Sequence, residues 1–280
     1  TKMYGNLGKV ENKGLDFSID YVKRFNNDFD MSFKGTFTYA HNKVLEYDEP
    51  DFQKYPNISR VGHSVDQQLL YIAERLFIDD SEVQRNPKQN LGGWVSGGDI
   101  KYKNLPDVNG NYDNVIDSND RQYTGMPTTP EIVYGFGPSF RYKKFDFSFF
   151  FQGAARVSIM MNGIHPFGAE GIRNVLQFIA DDYWSETNQN IYAEYPRLSK
   201  RDNENNTKAS TYWQRNGAFL KLKNLEVGFN HKFFRVYLRG SNLLTFSPFK
   251  YWDPEMGSGS GLSYPTQRVF NVGVQFSINK

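Results

Sequence analysis

The chain has 280 residues, 16% of them Phe, Trp or Tyr, yet its mean hydropathy is only −0.65, so rings are abundant while long aliphatic runs are missing. No window approaches the roughly eighteen consecutive apolar residues of a membrane-spanning helix, so any passage through hydrocarbon would have to be made by strands. A net charge of +2 without a long basic run gives no reason to expect nucleic acid, and the lack of cysteine excludes a disulfide scaffold or a thiolate metal site.

The N-terminal stretch TKMYGNLGKVENKG reads as neither a signal nor a transit peptide, so any targeting segment is expected to lie outside this sequence or to have been removed. Period-two alternation then predicts seven strands. The first, at about 14–24, sets Leu15, Phe17, Ile19 and Tyr21 against Asp16, Ser18 and Asp20. The second, at about 28–44, sets Met31, Phe33, Phe37 and Tyr39 against Asp30, Ser32, Lys34, Thr36 and Thr38. In the third and fourth, at about 131–143 and 144–157, Phe136, Pro138, Phe140 and Tyr142 share one face, and Phe145, Phe147, Phe149 and Phe151 continue it beyond Lys143-Lys144. The opposite face carries Ser139, Arg141, Asp146, Ser148, Phe150 and Gln152. The fifth, at about 216–230, changes parity from Leu220 and Leu222 to Leu225, Val227 and Phe229, which predicts a bulge near Lys223-Asn224. The sixth and seventh, at about 233–246 and 267–279, alternate in the same way.

Connections alternate between short turns (Asn26-Asn27-Asp28, Lys143-Lys144, His231-Lys232) and long spans at about 45–130, 158–215 and 247–266. With antiparallel neighbours, every short turn falls at one end of the sheet and every long loop at the other, as in outer-membrane barrels. Tyr21, Phe25, Tyr142, Phe145, Phe229, Phe233 and Phe234 crowd the turn end, where an interfacial girdle would lie. Seven strands cannot close such a barrel, since an open sheet in hydrocarbon leaves two edges of unpaired amides, each costing several kcal/mol. The expected fold is therefore all-β: residues 1–280 form about seven C-terminal strands of a larger antiparallel transmembrane β-barrel with long extracellular loops.

Seven stretches carry a family resemblance: VENKGLDFSIDY, GGDIKYKNLPDVNGNYDNVIDSNDR, YKKFDFSFFFQGAA, YPRLS, STYWQRNGAFLKLKNLEVGF, RVYLRGSNLLTFSPFKYWDPE and GLSYPTQRVFNVGVQF. In this order, end to end, they resemble the SusC/RagA-type TonB-dependent transporters of Bacteroidetes outer membranes. The resemblance implies a plugged barrel of the 22-stranded class. It also implies a plug domain in a missing N-terminal part, energy coupling through TonB, a SusD-like surface lipoprotein as partner, and import of oligosaccharides or peptides across the bacterial outer membrane.

DVNGNYDNVIDSND is similar to the calcium loop D-x-[DN]-x-[DN]-G-x5-E. Asp107, Asn109 and Asn111 have its early spacing, whereas Tyr112 reads as an insertion relative to the family's pattern. Asn114 stands where a sharp-turn glycine is expected, and Asp113 and Asp117 fit when counted back from Asp120. Two readings stay open: a Ca2+ loop, or an Asx-rich external turn needing no cofactor. Trp94, Trp184, Trp213, Tyr212, Tyr251 and Trp252 either stack on sugar rings or form small loop cores. Ile172, Val175, Leu176, Ile179 and Tyr183 have the spacing of a short loop helix, GSGSG at 257–261 reads as a flexible tip, and the four histidines read as solvated. No G-x-S-x-G, H-E-x-x-H or P-loop pattern is present, so no enzyme activity is expected. The competing architecture is a surface-associated β-sandwich carbohydrate-binding module, in which the aromatic faces of two sheets pack together.

Overall fold

The computed structural model describes Gly5 and residues 7–166, 174–200 and 203–277. All seven predicted strands are present: β1 (Lys9–Arg24), β2 (Phe29–Glu46), β3 (Ile132–Tyr142), β4 (Phe145–Ala155), β5 (Phe219–Asn230), β6 (Phe234–Phe246) and β7 (Val269–Phe276). They form one sheet whose spatial order is the chain order, with every neighbour antiparallel. The last expected residues of the seventh strand, 278 and 279, lie outside the described residues.

Residues directly opposite one another in a sheet share a face. One row crosses the whole sheet as Lys23, Met31, Phe140, Phe147, Val227, Leu238 and Val272. Nearer the short turns runs Phe29, Tyr142, Phe145, Phe229, Val236 and Val274. The opposite face has Ser32, Ser139, Ser148, Glu226, Arg239 and Asn271 in one line. The predicted bulge is what keeps the apolar face continuous. Phe150 pairs with Asn224 but Phe151 with Leu222, so Lys223 is the extra residue, and Leu222 joins the face of Phe149 and Leu225 despite its different parity. β6 answers with two residues, Asn242 and Leu243, opposite Lys223; Asn242 takes φ 56° there.

Neither face of this sheet is covered as a sandwich would require. Phe270 and Phe276 on the apolar face are 76% and 75% exposed, and among the described residues no second large sheet lies against them. The β-sandwich alternative therefore fails. An apolar face and a polar face, both open, are what the wall of a barrel set between lipid and water requires. Among the described residues β1 and β7 each have a single neighbour, so both edges of the wall are free.

The turns and loops segregate as expected. Asn26 closes the first turn by accepting the backbone N–H groups of Asp28 and Phe29, both at 2.9 Å. Lys143 turns the second at φ 53°. At the other end, the long spans fold on themselves through short paired segments (Gln67–Tyr71 with Arg121–Pro127, Ala73–Leu76 with Ile100–Tyr102, and Ser158–Met160 with Gln214–Asn216), and the bridges of Tyr71 to Ser210 and of Met161 to Gly259 join one span to the next in one body. Leu70, Leu76, Ile100, Tyr102, Ile116, Ile159, Ile179, Trp184, Trp213 and Phe249 form its core. The expected loop helix is shorter than its stripe suggested, Gln177–Asp181, and Ile172 lies outside the described residues. GSGSG is not a free tip: across a parallel bridge to Met161, Gly259 donates its N–H to the Met160 carbonyl and accepts the Asn162 N–H, and the Ser258 hydroxyl accepts the Met160 N–H at 3.0 Å.

Candidate functional site

The features that a ligand or partner would meet are the polar face of the wall and the body of loops above it. Toward the short-turn end the polar face carries a ladder of ion pairs. Arg141 pairs with Asp30, Arg235 lies 2.6 Å from Asp146 and 2.7 Å from Glu226, and Arg239 lies 2.7 Å from Glu226. Period-two alternation puts all six side chains on one side, and the half-exposed pairs suit a hydrated interior rather than lipid.

Where the wall meets the loops, two charged clusters fasten them together. Lys221, with its side chain 1% exposed, lies 2.5 Å from Asp253 and 2.6 Å from Glu255, and Lys223 reaches the same Glu255 at 2.9 Å. Burial alone would raise both carboxyl pKa values, but the hydrogen bonds and charges of the two lysines, with the Glu255 N–H on Asp253, together outweigh it and hold both below the usual carboxylate range. In the second cluster the nearly buried Glu131 carboxylate takes His41 at 2.6 Å and Arg156 at 2.5 Å, tying β2 to the segments that enter β3 and leave β4. A third cluster lies inside the loop body. Asp99, fully buried, accepts Ser96 N–H at 2.8 Å, Asn203 at 2.9 Å, Asn206 at 2.8 Å and Arg197 at 3.0 Å, so the first long loop is bound to the second. These clusters were not singled out in the sequence. The available signals were a lysine between Leu220 and Leu222 in a strand, and an aspartate flanked by Gly98 and Ile100.

The Asp-rich loop uses its oxygens to make turns. Asp107 accepts the N–H groups of Asn109 and Asn111, Asp113 that of Val115, and Asp117 that of Asn119. Asp120 accepts Leu105 N–H at 2.6 Å and Asp117 N–H at 2.8 Å. Burial pushes the Asp120 carboxyl up, with the charges of Asp113 and Asp117 adding to the shift. Asn114 takes φ 60°, the left-handed conformation expected at its glycine-like position. Among the described residues, no group of three or more acidic, His or Cys side chains converges as a metal shell.

Of the six loop aromatics, Trp213 and Trp184 are core and Tyr212, Tyr251 and Trp252 pack against it, leaving Trp94 at the surface, 68% exposed and 4.6 Å from the Arg197 guanidinium. Tyr251 and Trp252, with Phe178, Leu176, Lys250 and Asp181, line an open groove of 370 Å³. The histidines are more engaged than expected: His63 stacks on Tyr123 at 4.4 Å, and burial lowers its pKa. His165 reaches the Tyr195 hydroxyl at 3.1 Å, and His41 pairs with Glu131; His231 is exposed beside Phe234.

No family model matches the chain. Among curated proteins it is 28% identical to TonB-dependent receptor P3 of Formosa agariphila, over 96% of this chain and 29% of that protein. It is 25% identical to TonB-dependent receptor SusC of Bacteroides thetaiotaomicron, over 98% of this chain and 27% of that protein. Among solved structures, a chain of the RagAB peptide transporter superposes with a TM-score of 0.69 at 19% identity, covering 98% of this chain and 30% of that one. A chain of the RagAB peptide importer in the closed-closed state gives 0.66 at 22% identity, again over 98% of this chain and 30% of that one. This chain thus spans under a third of the length of the relatives it matches. The resemblance read from its motifs holds along nearly its whole length, and its fold is that of part of a TonB-dependent receptor barrel.

Proposed function

We propose that the chain is the C-terminal part of the barrel of a TonB-dependent, SusC/RagA-like importer of the outer membrane, with the plug and the TonB-contacting segment in an N-terminal part. The observation that carries this reading is the unbroken apolar face across seven strands, set between short turns at one end and a packed loop body at the other. In this role the residues described act by shape and charge rather than by catalysis. The apolar face holds the wall in lipid, and the Asp146, Glu226, Arg235 and Arg239 ladder keeps the inner face wet. The clusters at Lys221, Glu131 and Asp99 hold the loops as one rigid rim. Oligosaccharides or peptides are the proposed cargo, received from a SusD-like lipoprotein seated over that rim. Purification of the full-length protein from native outer membranes tests this. A co-purifying surface lipoprotein, and bound oligosaccharide or peptide identified by mass spectrometry, is the expected result; recovery in the soluble fraction would overturn it.

The Asp107–Asp120 loop retains a proposed secondary role as a Ca2+ site, for which Asp107, Asn109, Asn111, Asp113, Asp117 and Asp120 are the candidate oxygen donors. Calorimetric titration of the full-length protein with calcium, compared with Asp113→Ala, is its test; identical flat traces would leave the loop as a turn.

A further inference from the structure

Each of the three short turns carries an aromatic ring with a lysine ammonium over it. Lys23 lies 5.2 Å from the centre of the Phe25 ring, Lys143 5.5 Å from that of Tyr142, and Lys232 5.4 Å from that of Phe233. The turns differ in sequence and length, so the same pair has been built three times over. The sheet register puts Lys23 opposite Met31, on the apolar face. Lys143, Lys144 and Lys232 occupy the hairpin tips, and all four lysines and all three rings are exposed. Lys143 sits at φ 53°, where glycine would be less strained, yet the position carries a charge. Acidic groups at this end are turned away: Asp30 and Asp146 are held by Arg141 and Arg235 on the polar face, leaving Asp28 as the one acidic residue of the three turns.

A ring at interface depth with an ammonium beyond it is the arrangement by which lysine covers apolar surface with its stem and still reaches the plane of lipid phosphates. We propose that the short-turn end of this wall is a docking surface for anionic phospholipid headgroups, whose phosphates are held by Lys23, Lys143, Lys144 and Lys232. The inference rests on the membrane-wall reading and adds to it a lipid preference at one end. Spin-labelled phosphatidylglycerol and phosphatidylcholine, each added to the full-length protein in phosphatidylcholine bilayers, test it through the motionally restricted fraction of each label. Phosphatidylglycerol should associate roughly threefold more strongly at low salt. That preference should vanish when all four lysines are replaced (Lys23→Gln, Lys143→Gln, Lys144→Gln, Lys232→Gln) and survive the four corresponding changes to Arg. Equal restriction of the two lipids by the wild type, or a preference that persists in the Gln variant, overturns the docking surface while leaving the wall intact. Absence of any restricted lipid overturns the wall itself, and the docking surface with it.

Discussion

A buried carboxylate is tolerated only where donors replace the water it has lost, and Asp99 is the clearest instance. Its four donating partners come from two different loops, so Asp99→Ala should leave the Arg197 guanidinium and the side-chain amide N–H groups of Asn203 and Asn206 without this acceptor and loosen the loop body by about 3–5 kcal/mol. Amide exchange over residues 70–102 and 203–213 in the full-length protein would show this as lost protection, and unchanged protection would count against the cluster's structural weight. Glu82 gives a pH signature at the same scale. Burial opposes its ionisation, but hydrogen bonds from Arg75, the Ile78 N–H and Lys101 prevail and hold its pKa at about 2. Because the folded value is depressed from 4.5, its stabilising contribution is complete above that value and is lost as pH falls toward 2. The segment around Asp79–Arg85 should therefore open between those values, and Glu82→Gln should flatten the transition. In the Asp-rich loop, Asp120→Ala strands two partly buried N–H groups, those of Leu105 and Asp117, and should cost about 1–3 kcal/mol whether or not calcium is present.

Along an element, alternation decides what each substitution costs. Phe147 faces the apolar side and Ser148 the side of Glu226, so Phe147→Arg should cost about 2–4 kcal/mol near the midplane while Ser148→Lys is tolerated. Urea unfolding of the full-length protein in lipid vesicles measures the difference, and equal costs would contradict the facing. The same alternation explains why the strands were legible in the sequence. Each is amphipathic, so period two marks both its span and its two faces, and even the parity change at Leu222 to Leu225 pointed to the bulge that Lys223 makes. The loop body was far less legible. Its core is drawn from side chains more than a hundred residues apart, such as Tyr102 and Trp213, and its polar clusters join residues equally distant, such as Asp99 and Asn206. No local period reports such pairings. The loop tryptophans showed the same limit, since composition could not separate Trp213, buried under His165 and Tyr195, from Trp94 at the surface. β7 carries a further expectation: Phe270 and Phe276 are equally exposed on one face, so unequal assembly defects of Phe276→Ser and Phe270→Ser would mark recognition of the terminal strand rather than burial.

At the scale of the whole molecule, the governing fact is that the sheet has two free edges and an exposed apolar face, which no isolated water-soluble domain would sustain. On the proposed reading β1 and β7 pair with strands outside this chain, so residues 1–280 expressed alone should fail to give the heat-modifiable band of a closed barrel on electrophoresis, while the full-length protein gives one. The most direct test of the wall is a spin-label scan through residues 145–152 of β4 in the full-length protein in bilayers, with oxygen as the lipid-soluble and a nickel chelate as the water-soluble relaxant. Positions 145, 147, 149 and 151 should be reached by oxygen, and positions 146, 148 and 152 by nickel, in strict alternation; an inverted phase, or nickel access at all eight positions, would contradict a lipid-facing wall.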